Sequence, residues 1–288
     1  MNHTMNPKIL KKVNELKNDR LHGANWLSSQ ALNVMGLAMR ESRAITAAEL
    51  VNELNEIAAA ITEARPSMTS IANYISQLLH QITLISQERK QMDDVKNSAQ
   101  AKVKEFIKLV QEAPRKAAEN AATMIADGDI IITCSYSSTV CKTFTISRER
   151  AKKFEVIIAE SRCNDITYGE ISAQQLKRHR IPTTVIPDKD INRYIEKTKK
   201  ALVGADTILI DGSLINGTPT YKLAQAAATA KIPFYSVCET AKFDALNQHR
   251  KQPKLEPGFD LIPANLITGI ITESGILKPR DVINFQRC

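Results

Sequence analysis

The feature that most constrains the fold is a change of hydrophobic period at Gly128. Beyond it the chain carries short apolar runs rich in β-branched residues, at 129–133, 154–159, 182–186, 201–203, 233–237 and 266–271. Between several of them lie segments with helical spacing, at 172–179, 190–198 and 221–230. Runs that are apolar on both faces and alternate with helices predict an open, mostly parallel α/β sheet covered on both sides. In such sheets ligands sit beyond the carboxyl ends of the strands. That rule selects residues 133–138, 160–164, 187–188, 204–206 and 239–240.

From Asn6 to about Asn120 the period is helical throughout. Ile9, Val13 and Leu16 share a face, and Thr46 with Glu49 forms a capping box ahead of Leu50, Leu54, Ile57 and Ile61. Pro66 marks a helix start before the stripe Ile71, Ile75, Leu78, Ile82 and Ile85, and Val103, Phe106 and Val110 make a further one. Met35 and Met39 read as core. The expected organisation is therefore a helical bundle over residues 1–120 followed by an α/β domain over 121–288.

The stretch ALVGADTILIDGSLING, residues 201–217, mixes structure with chemistry. Asp211-Gly212, flanked by Ile208, Ile210 and Leu214, predicts a two-residue type I′ hairpin, which needs positive φ at both central residues. A strand ending at Asp206 and a small hairpin hung over the same edge account for the whole segment.

Composition excludes several classes. No apolar stretch approaches the roughly 20 residues that cross a bilayer, and no apolar core follows the first charges, so a soluble, cytoplasmic protein without a signal peptide is expected. The five cysteines form no Cys-x-x-Cys pair and the five histidines no ligand spacing, so neither a metal nor a cofactor is expected. A net charge of +8 suggests an anionic partner. Its basic residues come in short groups without interleaved aromatics, so no nucleic acid and no membrane is expected.

Eight segments carry a resemblance: NDRLHGANWL, EARPSMTSIAN, GDIIITCSYSSTV, AESRCNDITYG, IPTTVIPD, VGADTILIDGSLING, IPFYSVCETAKF and FDLIPANLITGIITESGIL. In this order, from about Asn18 to Leu277, they resemble the family holding the alpha, beta and delta subunits of translation initiation factor 2B, methylthioribose-1-phosphate isomerase and ribose-1,5-bisphosphate isomerase. The resemblance implies a helical domain, a Rossmann-like domain, homodimers or higher assemblies with related subunits, and a pocket between the domains for a phosphorylated sugar or nucleotide. It implies phosphate-binding roles for Arg20, Gly23, Ala24, Arg65 and Arg162, where small residues admit backbone amides and guanidinium groups grip an anion. Ser135, Asp211, Gly212 and Asn216 complete the expected ligand set.

The departures divide the family. The isomerases place Thr-His-Cys after the first strand, and this chain has Thr133-Cys134-Ser135, with the thiol one residue early. Adjacent residues point in different directions, so Cys134 does not inherit that role, and Ser135 has too high a pKa to shuttle protons. Ser213 replaces the acid of the thioribose enzyme, the usual Asn-Lys-Ile-Gly-Thr becomes Asn216-Gly217-Thr218-Pro219-Thr220, and His22 stands for an arginine. Residues 133–137 and 232–243 look like the initiation-factor alpha subunit, and Cys141 reads as core. The favoured expectation is a regulatory or assembly protein that binds its ligand without turnover. The alternative is an aldose–ketose isomerase with Asp206 as acid or base and Cys134 as its partner. Segment 259–277, apolar and followed by Pro279, reads either as part of its own domain or as a dimer contact, and the resemblance favours the latter.

Overall fold

A computed structural model of the chain describes residues 5–19, 22–66, 68–89, 91–244, 255 and 257–286. Two compact units emerge, Met1–Glu112 and Ala113–Cys288, and the division falls inside one helix.

The first unit holds α1 (Pro7–Asn18), α2 (Ala24–Glu41), α3 (Ala47–Ala64), α4 (Thr69–Glu88) and most of α5 (Met92–Thr123). Asn6 caps α1 by accepting the Lys8 amide, and Pro7 occupies the first turn, where its missing N–H costs nothing. The Thr46–Glu49 capping box is formed as expected. The predicted stripes are buried except at Ile85, which is half-buried, and Met35 and Met39 lie in the core. Pro66 ends a helix instead of starting one: Arg65, the residue before it, leaves helical geometry as the C-cap of α3, and α4 begins only at Thr69.

The second unit is a seven-stranded sheet in the order β12-β11-β9-β6-β1-β2-β5. Its strands are β1 (Ile130–Thr133), β2 (Glu155–Ala159), β5 (Thr183–Ile186), β6 (Lys200–Val203), β9 (Phe234–Val237), β11 (Gly269–Thr272) and β12 (Gly275–Leu277). All neighbours are parallel except β11 and β12. Four further helices, α6 (Ser138–Glu149), α7 (Tyr168–Arg178), α8 (Ile191–Ile195) and α9 (Thr220–Thr229), cover it. Alternation sorts the strand residues between two cores. Ile131, Val156, Ile158, Leu202 and Ile271 pack with α6, α7 and the end of α5, while Ile132, Ile157, Ala201, Val203 and Ile270 pack with α8 and α9. Cys141 is buried on α6 beside that first core, in agreement with its reading as core.

Two small pairings were not anticipated. A two-stranded hairpin joins β3 (Arg162–Cys163) to β4 (Ile166–Thr167), and β10 (Phe259–Ile262) pairs with β8 (Leu214–Gly217). The latter two strands form a three-stranded sheet with β7 (Thr207–Ile208), whose hairpin with β8 was anticipated. The β7–β8 hairpin is not a two-residue type I′ turn. The Leu209 carbonyl accepts the Gly212 amide, the Leu209 amide donates to the Ser213 carbonyl, and only Gly212 has positive φ, at 82°. This is a three-residue loop closed by a left-handed glycine. A Cβ at Gly212 would stand 2.3 Å from the Pro279 carbonyl oxygen, so contact with the distant C-terminal segment shapes the turn. The fourth core strand stops at Val203, not Asp206, and the predicted run from 266 begins at Gly269 after a 3-10 turn over Ala264–Leu266. Ile262, Ile267, Ile270 and Val282 are buried in the unit's own core.

Candidate functional site

Strand order reverses between β1 and β6, so the crevice that binds ligands in doubly wound sheets opens at their carboxyl ends. Those ends carry Cys134–Ser135 and Gly204–Asp206. Several predicted site residues therefore converge on one rim.

At the β1 end, Ser135 has φ of 60°, a left-handed conformation that a non-glycine residue adopts only when its surroundings enforce it. Its amide donates to Ser161 Oγ at 2.7 Å, and its carbonyl accepts from Ser172 Oγ at 3.0 Å. Ser161 is itself left-handed, with its amide held by Asp188 Oδ1 at 2.8 Å. The Ser135 hydroxyl, half-buried, makes no hydrogen bond among the described residues, and a Cβ at Gly217 would stand 2.6 Å from it. The strand ends are thus laced together while one hydroxyl is kept open.

Cys134 points elsewhere. It is 1% exposed, with Sγ 3.2 Å from Thr220 Oγ1. Thr220 gives its proton to the Gly217 carbonyl and accepts from Asn216 Nδ2, which leaves the Cys134 S–H as donor. Burial pushes this thiol up to about 12, against a smaller opposing effect of Thr220. A neutral thiol serving as a donor is neither nucleophile nor base.

Asp206, beyond β6, keeps a partly accessible edge. Desolvation raises its pKa, Lys242 opposes and Glu239 adds to the rise. Glu239, fully sealed, follows β9, and Lys242 stands in the 3-10 turn Thr240–Lys242, its Nζ donating to the Ala205 carbonyl at 2.6 Å and lying 3.7 Å from Glu239 Oε1.

The remaining predicted residues behave differently. Asp211 serves its own turn, accepting from the Ser213 amide at 2.9 Å and the Ser213 hydroxyl at 3.0 Å, with Gly212 beside it. Arg162 is exposed on β3 and forms no ion pair among the described residues. In the first unit Gly23 caps α2 and Ala24 opens it, and Arg65 Nη1 donates to the Asp19 carbonyl at 2.8 Å. Arg20 lies outside the described residues. Among them, no group of three or more His, Cys, Asp or Glu side chains is placed to hold a metal, and no helix is long and apolar enough to cross a membrane.

Sequence reasoning singled out Glu239 only by its place after a strand, and it missed Lys242, Thr220 and the amide-bridging role of Ser161. For Lys242 the available signal was its spacing of three from Glu239, which a 3-10 turn brings onto one side. Thr220 had no such signal, because the turn at residues 217–219 decides where it faces.

Comparison with known proteins supplies the lineage. The family model described as Initiation factor 2 subunit family matches residues 20–257. A translation initiation factor eIF-2B subunit 2-like protein of Pyrococcus abyssi is 33% identical, over 96% of this chain and 98% of its own length. The ribose 1,5-bisphosphate isomerase of Thermococcus kodakarensis is 26% identical, over 97% and 94%. The crystal structure of the Pyrococcus horikoshii translation initiation factor eIF-2B matches with TM-score 0.81 and 30% identity, covering 96% of this chain and 99% of that one. With its helical first unit, its reversed strand order and these relatives, the chain belongs to the Initiation factor 2 subunit family.

Proposed function

We propose that this protein is a regulatory or assembly subunit similar to the alpha subunit of translation initiation factor 2B, binding a phosphorylated sugar or nucleotide at the carboxyl rim without converting it. One observation carries the reading: the thiol at the β1 end is sealed and neutral, and the open position beside it holds the Ser135 hydroxyl. Aldose–ketose isomerisation needs a group that gains and loses a proton near neutral pH, and a serine without a neighbouring base does not supply one. A half-buried hydroxyl can still donate to an oxyanion. Arg162 and Asn216 belong to the same proposal, the first as a guanidinium for phosphate and the second as an amide on β8. Assembly with itself or with related subunits is part of the reading, and β10 to β12 are the segment proposed for it.

The test is incubation with ribose 1,5-bisphosphate and methylthioribose 1-phosphate, followed by NMR for the ketose and by thermal shift for binding. The expected result is a stabilising shift without product, reduced about tenfold in affinity by Arg162→Ala, the scale of one charge-assisted hydrogen bond. Product formation abolished by Asp206→Asn would establish the isomerase reading instead. That second reading is favoured by the raised pKa of Asp206 at the switch point, which suits a general acid.

A further inference from the structure

The parallel topology carries the connections that lead from α6, α7, α8 and α9 back into strands to one edge of the sheet, the amino edge, opposite the candidate site. Arg148 and Arg150 stand at the end of α6, and Lys153 lies ahead of β2. Lys177 and Arg178 close α7, and Arg180 precedes β5. Lys197 and Lys199 lie between α8 and β6, and Lys231 between α9 and β9. All nine are exposed, and among the described residues none of them forms an ion pair. The exposed carboxylates of the same edge are Asp127, Glu149, Glu155 and Glu196, so five positive charges stand in excess. Along the order β9-β6-β1-β2-β5, with strands about 4.8 Å apart, these charges are spread over about 19 Å.

Helix ends account for part of this. Arg148, Lys177 and Arg178 sit in a last turn, where a cation offsets the helix macrodipole. That effect fades beyond the turn, and the other six cations lie outside the helices. Two of them also stand against backbone preference. Arg180 and Lys231 have φ of 55° and 57°, at the left-handed positions that close α7 and α9, where glycine is the usual occupant. A long cationic side chain kept at such a position points to a use for its charge. Each basic group is short along the chain, which is why the sequence predicts no nucleic acid, but the fold adds the groups into one field. None of the exposed large apolar side chains among the described residues lies in these four connections. The edge therefore offers neither the apolar centre of a protein interface, nor an apolar face for a membrane, nor an exposed ring on which single-stranded bases stack. Charge without apolar surface suits phosphates. We propose that this amino edge docks the phosphate backbone of a nucleic-acid duplex without reading its sequence. The surface is independent of any ligand at the carboxyl rim.

Fluorescence anisotropy of the full chain with a labelled RNA duplex of about 20 base pairs, repeated over a range of NaCl concentrations, tests the surface. About five phosphate contacts predict a slope of about 4.5 in log Kd against log salt, so affinity should fall roughly 500-fold between about 50 and 200 mM salt. Arg180→Gly and Lys231→Gly remove charge where glycine relieves the backbone, so neither should lower the Tm. Each should reduce the slope by about one and weaken binding about tenfold at about 0.1 M salt, whatever the base sequence. Lys142→Gln removes an exposed charge toward the opposite end of α6 and should change neither quantity. The proposal is overturned by an absence of binding at the lower salt, by unchanged binding in both glycine variants, or by a loss with Lys142→Gln equal to theirs. A single strand that competes as well as the duplex, or capture by phosphatidylserine vesicles in place of the duplex, overturns it equally.

Discussion

The two edges of the central sheet hold an ion pair each, partly buried at the amino edge and buried at the carboxyl edge, and they treat it in opposite ways. At the amino edge Lys200 Nζ lies 2.7 Å from Asp129 Oδ2, which also accepts the Ala126 amide at 2.8 Å. The same ammonium donates to the Met124 carbonyl, so every strong donor there has a partner and the pair ties the end of α5 to the sheet. At the carboxyl edge Glu239 and Lys242 stand 3.7 Å apart, the carboxylate unsatisfied. The first arrangement is what a charge pair looks like when it only holds elements together. The second keeps polar capacity in reserve at the edge where doubly wound sheets meet ligands, and the cost is borne by the rest of the fold. The helical unit avoids the question, since its buried polar residues among those described are Ser28, Ser42, Thr69, Ser70 and Asn73, all uncharged.

That contrast can be broken experimentally. Lys200→Met removes the ammonium that Asp129 faces and leaves that largely buried carboxyl without its ion-pair partner; we expect the α/β unit to lose about 3 kcal/mol in urea denaturation followed by circular dichroism. A loss below about 1 kcal/mol would mean that the amino edge is as loosely satisfied as the other. Next in size is Gly212→Ala, with φ of 82° and the Pro279 carbonyl where a Cβ would sit, expected to cost about 2 kcal/mol and to loosen the C-terminal segment in hydrogen exchange. Thr46→Ala, which removes half of the capping box in the helical unit, should cost about 1 kcal/mol with no effect on ligand-induced thermal shifts. The smallest effect is a slope. Because the folded pKa of Asp206 lies above its unfolded value, its contribution to stability is complete below about pH 4 and is lost as pH rises through the folded value. Asp206→Asn should flatten that part of the Tm against pH curve, and a variant that keeps the full slope would place the titration elsewhere.

Much of the fold was readable because period reports burial. The run at 129–133 carries Ile130, Ile131 and Ile132 in succession, and the structure sends Ile131 and Ile132 to opposite cores, the signature of a strand covered on both faces. The capping box was readable for a similar reason, since both partners lie within one turn. Pro66 misled because a proline both opens helices and forbids helical geometry in the residue before it, and only the neighbouring chain decides which prevails. Asp211-Gly212 misled because the pair allows several turns, and the choice came from the Pro279 carbonyl, far away in sequence.

The candidate site divides along the same line. By itself the sequence determined that residues 133–138, 204–206 and 239–240 end strands, and therefore that Ser135, Asp206 and Glu239 share a rim. Local pattern suffices for that, because hydrophobic period and strand direction are properties of neighbouring residues. Only the tertiary structure decided that Cys134 gives its proton to Thr220, that Asp211 spends its carboxylate on Ser213, and that Lys242 serves the Ala205 carbonyl before Glu239. A hydrogen bond is fixed within a few tenths of an ångström by residues distant in the chain, and no spacing along one strand or helix encodes that distance.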